Sequence, residues 1–290
     1  MNILITGKNS FIGSHFKNRY KEKFNIKEVD LENQSVSQID MKDFDVVFHV
    51  AAIVHQSAKL PDDKYFRVNA DLAHEVAVQA KKDGVGHFVL MSTVKVYGEK
   101  TNGKPWTEDT DPDPLDAYGK SKIEAERRLL DEEEENFTVS VVRTPVVYGP
   151  GVKANISNLI KLIDRVPVLP LGGIYNRRSM VYVGNLVSMV EAIIQKKAHG
   201  VFLAADKEII PVTELVQNIA DALEKKRIVF AMPSFLWKLI KIIKPAYYYR
   251  LHDNLEVNNE KTRGRLEWEP PYLFKDGINQ TIAWFKTGKQ

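Results

Sequence analysis

Tyr118 and Lys122 set a phenol and an ammonium four residues apart in Tyr118-Gly119-Lys120-Ser121-Lys122, which on a helix is one face. A free phenol has a pKa of ~10 and is a poor base at neutral pH, but a cation held beside it stabilises phenolate and lowers that value. Tyr118 can then exchange a proton with a hydroxyl while a nicotinamide exchanges hydride with the hydroxyl's carbon. Such a pair is common on exposed helices, and its context is what gives it weight. The apolar run Phe88 to Ser92 reads as a strand that feeds directly into Thr93, at the carboxyl end of a sheet where open α/β folds bind ligands. Thr93 can there donate a hydrogen bond to the oxygen that becomes a carbonyl.

A hydride carrier needs its own cradle, and the first strand supplies one. It ends at Thr6 and runs into Gly7-Lys8-Asn9-Ser10-Phe11-Ile12-Gly13, then a helix. Gly7 permits a sharp turn, Gly13 lets the helix pack on the sheet, and the helix start offers free N–H groups to a pyrophosphate. Ser10 stands where a middle glycine would allow the closest backbone approach, and on its own the loop also reads as a plain turn. Asp30 closes the next strand, where a carboxylate accepts from both adenine-ribose hydroxyls and repels a 2'-phosphate. That favours NAD and leaves NADP open, because Lys8 lies inside the loop and the link from Asp30 to Val46 is short enough to turn Asp30 toward the adenine. Lys122 would also bond the nicotinamide ribose.

The elements that must position these groups repeat a strand-helix order. Asn2 to Thr6, Ile26 to Val29, Val46 to Val50, Phe88 to Ser92 and Val139 to Arg143 are apolar on both faces, as a parallel sheet demands. Ile12 to Lys23, Tyr65 to Asp83 and Ala117 to Glu135 carry helical spacing. The expected fold is α/β: a doubly wound parallel sheet of Rossmann type over residues 1–150, with a smaller C-terminal α/β substrate domain over 151–290. Ser179 to Val183 and Val201 to Ala204 read as strands able to rejoin the main sheet, so residues near 179–205 blur that boundary.

Composition narrows the function. In 290 residues, 44% hydrophobic and 27% charged, the net charge is only +3 from 41 basic and 38 acidic side chains, so no nucleic acid is expected. With no cysteine there is no disulfide, thiolate metal site or cysteine nucleophile, which suits the cytoplasm. No leader is read at Met1 to Ile5. The longest apolar stretch, Phe235 to Ile243, is broken by Lys238 and Lys241 and falls short of the ~20 residues of a membrane span. Phe235 to Lys244 reads as a basic amphipathic helix packed on its own domain, with membrane-surface contact the less favoured alternative; no membrane partner is expected. The acidic run Asp131 to Glu135 reads as a solvated face. His49 and His55 flank Ala51 and Ala52, but nothing nearby has metal-ligand spacing, so no metal is expected.

In this order the motifs resemble the extended short-chain dehydrogenase/reductase family, above all its nucleotide-sugar epimerases and reductases. They are Thr6-Gly7 to Phe11-Ile12-Gly13, Phe48-His49-Val50-Ala51-Ala52, Met91-Ser92-Thr93 to Val96-Tyr97-Gly98, Tyr118 to Lys122, and Arg143 to Tyr148-Gly149-Pro150-Gly151. Leu266-Glu267-Trp268-Glu269-Pro270 resembles the family's closing Leu-Gly-Trp-x-Pro, with Glu267 in the glycine position. The resemblance implies Thr93, Tyr118 and Lys122 as the catalytic set, with Ala51, Ala52, Asn69 and Pro145 lining the NAD cofactor. It further implies that Arg178 grips a nucleotide diphosphate, with Lys153 and Asn155 assisting, though each also reads as a surface polar residue. The family's dehydratases carry an Asp-Glu pair after the catalytic Thr; Val94-Lys95 here argues against dehydration. Val146 replaces an asparagine that many epimerases turn toward the sugar. The implied activity is a 4-epimerase of a UDP-hexose or UDP-N-acetylhexosamine, the alternative an NAD(P)H-dependent 4-keto-sugar reductase. A non-catalytic dinucleotide sensor is a remote third reading, since a sensor has no need of a proton relay. The family also implies a homodimer through the helices at 65–83 and 117–135.

Overall fold

The computed structural model describes residues 1–54 and 60–288. Its strands are β1 (Asn2–Thr6), β2 (Asn25–Val29), β3 (Val46–His49), β4 (His87–Thr93), β5 (Thr138–Thr144), β6 (Val146–Tyr148), β7 (Val168–Gly172), β8 (Met180–Tyr182), β9 (Gly200–Leu203) and β10 (Ile228–Ala231). Its helices are α1 (Phe11–Tyr20), α2 (Asp62–Phe66), α3 (Leu72–Lys82), α4 (Ala117–Asp131), α5 (Ala154–Arg165), α6 (Val183–Lys196), α7 (Val212–Ala222), α8 (Ser234–Ile243), α9 (Pro245–His252), α10 (Glu260–Leu266) and α11 (Phe274–Thr287).

The main sheet is wholly parallel, in the order β2-β1-β3-β4-β5-β9. Strand residues alternate between its two faces. Ile3, Ile5, Phe48, Val89 and Met91 join one core with α6, while Leu4, Val47, Phe88, Leu90 and Val141 join another with α3 and α4. Two cores explain why β1, β3, β4 and β5 are buried along nearly their whole length. From β1 the chain first goes outward to β2, then returns to place β3 on the other side of β1. That reversal opens a crevice at the carboxyl ends of β1 and β3, where such sheets bind ligands.

Of the two later segments expected to rejoin the sheet, one does. β9 pairs with β5; β8 pairs instead with β6, because the place beside β5 is already taken and β8 leads at once into α6. β7 and β10 form a further parallel pair. The acidic run departs from a solvated face: Glu132 pairs with Lys81 and His74, and Glu134 with Lys81, fastening the end of α4 to α3.

Helix α8 is packed only in part. Trp237 is buried and Ile240 half-buried against the core, but Phe235, Leu239, Ile242 and Ile243 face outward, Ile242 at 79% exposure. At the C-terminus of α10, Glu267 adopts φ +46°, the left-handed conformation that suits the glycine of the resembled motif. Its side chain is exposed and holds Lys196 at 2.9 Å. Glu267→Gly is therefore expected to stabilise the protein by about 0.5–1 kcal/mol, visible as a higher Tm in thermal unfolding.

Candidate active site

Thr93 ends β4, and its hydroxyl accepts from the Lys95 amide at 3.2 Å, capping the turn Val94–Tyr97. Tyr118 lies in the first turn of α4, whose N-cap Asp116 accepts from the Gly119 amide at 2.7 Å. Thr93 and Tyr118 come close enough for their hydroxyls to interact, the Thr93 hydroxyl drawing the Tyr118 phenol toward a lower pKa. Glycine at 119 lets them meet, since a Cβ there would stand 2.8 Å from the Lys95 carbonyl. Lys95 ties turn to helix through Glu99 at 2.5 Å and Asp116 at 3.2 Å, so its side chain is engaged in architecture.

Lys122 is buried one turn further along α4. Burial brings its pKa down to about 8, opposed by Glu126, so it is mostly protonated at neutral pH. The expected depression of the Tyr118 phenol is not what the fold produces. Burial pushes Tyr118 up to about 12; the Thr93 hydroxyl pulls it down, while Asp116 and Tyr65 add to the rise. Lys122 instead acts on His49 of β3, which burial first and that cation second hold down to about 3, hence neutral. His49 Nδ1 bonds the Thr6 hydroxyl at 2.8 Å. His55 lies outside the described residues.

Around the glycine loop, Gly7 has φ +99°, and a Cβ on it would sit 3.0 Å from the Ala51 amide nitrogen. The Gly7 and Lys8 amides donate to Val29 O at 3.1 and 3.0 Å, setting the loop beside the end of β2. A Cβ on Gly13 would come within 2.6 Å of Ser10 Oγ. That hydroxyl is buried with no partner among the described residues, at the start of a helix whose first N–H groups, from Phe11 and Ile12 to Gly13, are unsatisfied. An orphaned donor and free amides on one turn fit a diphosphate.

Asp30 follows β2, and its carboxylate accepts from Glu32 N at 3.0 Å and Asn33 Nδ2 at 2.8 Å; these bonds, with Lys8 nearby, hold it below the usual carboxylate range. Ala51 and Ala52 follow β3, and Pro145 is buried between β5 and β6. Asn69 occupies a π-helical turn, Arg67–Asp71, between α2 and α3. Its amide bonds both the N–H and the carbonyl of Ile53, at 2.8 and 3.0 Å, and Ser121 Oγ at 3.0 Å. Asn69 thus clamps the loop after β3 to α4, and its polar atoms face protein.

The sequence reading missed a buried charge network behind the site. Arg143 of β5 donates to Glu126 of α4 at 3.0 Å from Nε and at 2.5 Å from a terminal nitrogen, and to the Tyr97 hydroxyl at 2.6 Å. The Ser92 hydroxyl donates to the other Glu126 oxygen. Helix α4 is thereby pinned to both strands beside Thr93. The signal was present: an arginine in a strand buried on both faces must find a partner.

Just before β8, Arg178 donates to Arg250 O at 2.8 Å, and Arg250 of α9 reaches Asn155 Oδ1 of α5 at 3.4 Å. Burial, then the Arg250 charge, lowers the Arg178 pKa, and no ion pair holds either guanidinium among the described residues. Arg250 was not foreseen, since nothing in the local pattern of α9 links it to Arg178. Lys153, at the N-cap of α5, is exposed.

The family model for the NAD dependent epimerase/dehydratase family matches residues 3–204. A UDP-glucose 4-epimerase of Vibrio cholerae is 32% identical over 98% of this chain and 95% of its own length. An N-acetyl-alpha-D-glucosaminyl-diphospho-ditrans,octacis-undecaprenol 4-epimerase of Escherichia coli O157:H7 is 29% identical over 78% of this chain and 73% of its own. The solved structure of a UDP-glucuronic acid 4-epimerase from Bacillus cereus, in complex with NAD, superposes with a TM-score of 0.81 at 20% identity, covering 100% of both chains. Matched by the family model over most of its length, and 32% identical to a curated member over 98% of the chain, the chain belongs to the NAD dependent epimerase/dehydratase family.

Proposed function

We propose that this chain is an NAD-dependent 4-epimerase of a nucleotide sugar, a UDP-hexose or UDP-N-acetylhexosamine. The observation that carries the reading is the meeting of Thr93 and Tyr118 at the end of β4, with Lys122 buried one helical turn away. NAD supplies a hydride acceptor for the sugar carbon and a donor for its return. Tyr118 takes and returns a proton at its phenolic oxygen, Thr93 anchors the sugar oxygen, and Lys122 keeps a positive charge at the site. The cofactor's diphosphate is held by Ser10 and the first amides of α1, its adenine ribose by Asp30; Ala51, Ala52 and Pro145 line it. Arg178, Arg250 and Asn155 take the substrate diphosphate, with Lys153 beside them. A homodimer would be built on α2, α3 and α4.

Proton NMR of the protein with a UDP-hexose and catalytic NAD tests this. The C4 epimer is expected to accumulate. No epimer, together with consumption of NADH or NADPH on a 4-keto sugar, would replace the epimerase by the reductase. Arg250→Met is expected to raise KM about thirtyfold with kcat little changed, in steady-state kinetics, because it removes a charge-assisted bond that is the same in ground and transition states.

A second reading rests on the exposed apolar face of α8, which leads directly into α9 and Arg250. The Escherichia coli relative is named for a sugar diphosphate carried on undecaprenol. Such a substrate presents the same diphosphate to Arg178 and Arg250. Turnover of a polyprenyl-diphosphate sugar in detergent, with UDP-sugars left untouched, would select it.

A further inference from the structure

We infer that α8 is a docking surface for an anionic lipid bilayer and lies in its headgroup layer. The inference is independent of which sugar the site turns over. Phe235, Leu239, Ile242 and Ile243 recur at helical spacing and form one outward stripe, an arc of about 100° on the wheel. Their exposures run from 51% to 79%. Trp237 and Ile240 point the other way, into the domain, so the helix is fixed to the protein by one side and bare on the other. The strand before it adds to the bare surface: Ile228 and Phe230 of β10 are exposed, as is Val168, the cross-strand partner of Ile228.

Charge decides what covers this face. Between Lys225 and His252 the sequence holds seven Lys or Arg and no Asp or Glu, in a chain whose net charge is only +3. Among the described residues, Lys238, Lys241 and Lys244 make no ion pair; Lys241 lies over the Tyr248 and Tyr249 rings at 5.3 and 5.4 Å. A second copy meeting this face about a twofold axis would set these cations against themselves. An anionic headgroup layer complements them, while the apolar stripe enters the acyl boundary and the exposed rings of Tyr247 and Tyr249 sit at the interface. A helix of 10 residues lies on a membrane; no helix among the described residues is long and apolar enough to cross one.

The test is co-sedimentation of the full chain with vesicles of phosphatidylcholine alone, or of equal parts phosphatidylcholine and phosphatidylglycerol. The chain is expected to pellet with the mixed vesicles and to bind about tenfold or more weakly to phosphatidylcholine alone or in molar salt. The double variant Leu239→Glu/Ile242→Glu should lose binding by a similar factor, with unchanged near-UV circular dichroism and tryptophan emission showing an intact fold. Wild-type protein left in the supernatant with mixed vesicles overturns the inference, as does a double variant that pellets like wild type. A wild-type dimer that the double variant dissociates would likewise overturn it and assign the face to a second copy.

Discussion

Tyr118→Phe is expected to lower kcat about a thousandfold while NAD remains bound, because it deletes the proton carrier and leaves the loop at Gly7 to Gly13 untouched. The rate of C4 epimer formation by NMR, with cofactor content from absorbance, measures both. Thr93→Val should cost less, about ten- to a hundredfold, since it removes one hydrogen bond to the substrate oxygen. Phenolate titration gives a second readout. Burial pushes the Tyr118 phenol up to about 12, so it is protonated throughout the neutral range. Oxidised nicotinamide carries a positive charge, and a cation near a phenol stabilises phenolate and lowers its pKa. The wild-type minus Tyr118→Phe absorbance difference is therefore expected to rise near pH 12 without NAD and at lower pH with it. A difference curve that NAD leaves in place, or full kcat in Tyr118→Phe, would remove Tyr118 from the chemistry and restore the sensor reading.

Glu126→Gln is expected to destabilise the fold by about 3–5 kcal/mol, because it leaves the Arg143 guanidinium buried without its counter-charge. Both side chains are almost fully buried, at 6% and 1% exposure, so solvent cannot take the place of the lost partner. Burial disfavours the Arg143 charge, and the attraction of Glu126 overcomes it to raise the net pKa. Urea unfolding measures the loss. The double variant Glu126→Leu/Arg143→Met should regain most of it, since an apolar pair of similar volume needs no counter-charge. Activity gives the sharper outcome. If the network positions α4 against β4, the double variant will be stable yet slow, with the defect in kcat, because Tyr118 has lost the brace that aims it at Thr93. A stable double variant with full kcat would reduce the network to a stability element.

Much of this protein is written in local pattern. The apolar runs of β1, β3, β4 and β5, the amphipathic spacing of α3 and α4, and the Gly7 to Gly13 loop each follow from backbone and side-chain periodicity within a few residues. So does the pairing of Tyr118 with Lys122, and Thr93 stands where a strand must end. Local pattern marks Glu267 only as standing in a glycine position; its left-handed φ of +46° comes from the folded chain. Tertiary structure decided whatever depends on a distant neighbour. β8 went to β6 because β9 already occupied the edge of β5. Glu126 of α4 found Arg143 of β5, and Arg178 found the Arg250 carbonyl of α9. Asn69, expected against the cofactor, turned its amide to Ile53 and Ser121. The Tyr118 phenol rose where spacing alone implied a fall, because burial dominates there, while the Lys122 charge acts on His49. By itself the sequence determined which residue types stand on which element, since helix and strand periods are properties of a few consecutive residues. Only the folded chain decided their partners, their burial and the outward face of α8, because desolvation and charge pairing act through space between segments that the chain keeps far apart in order.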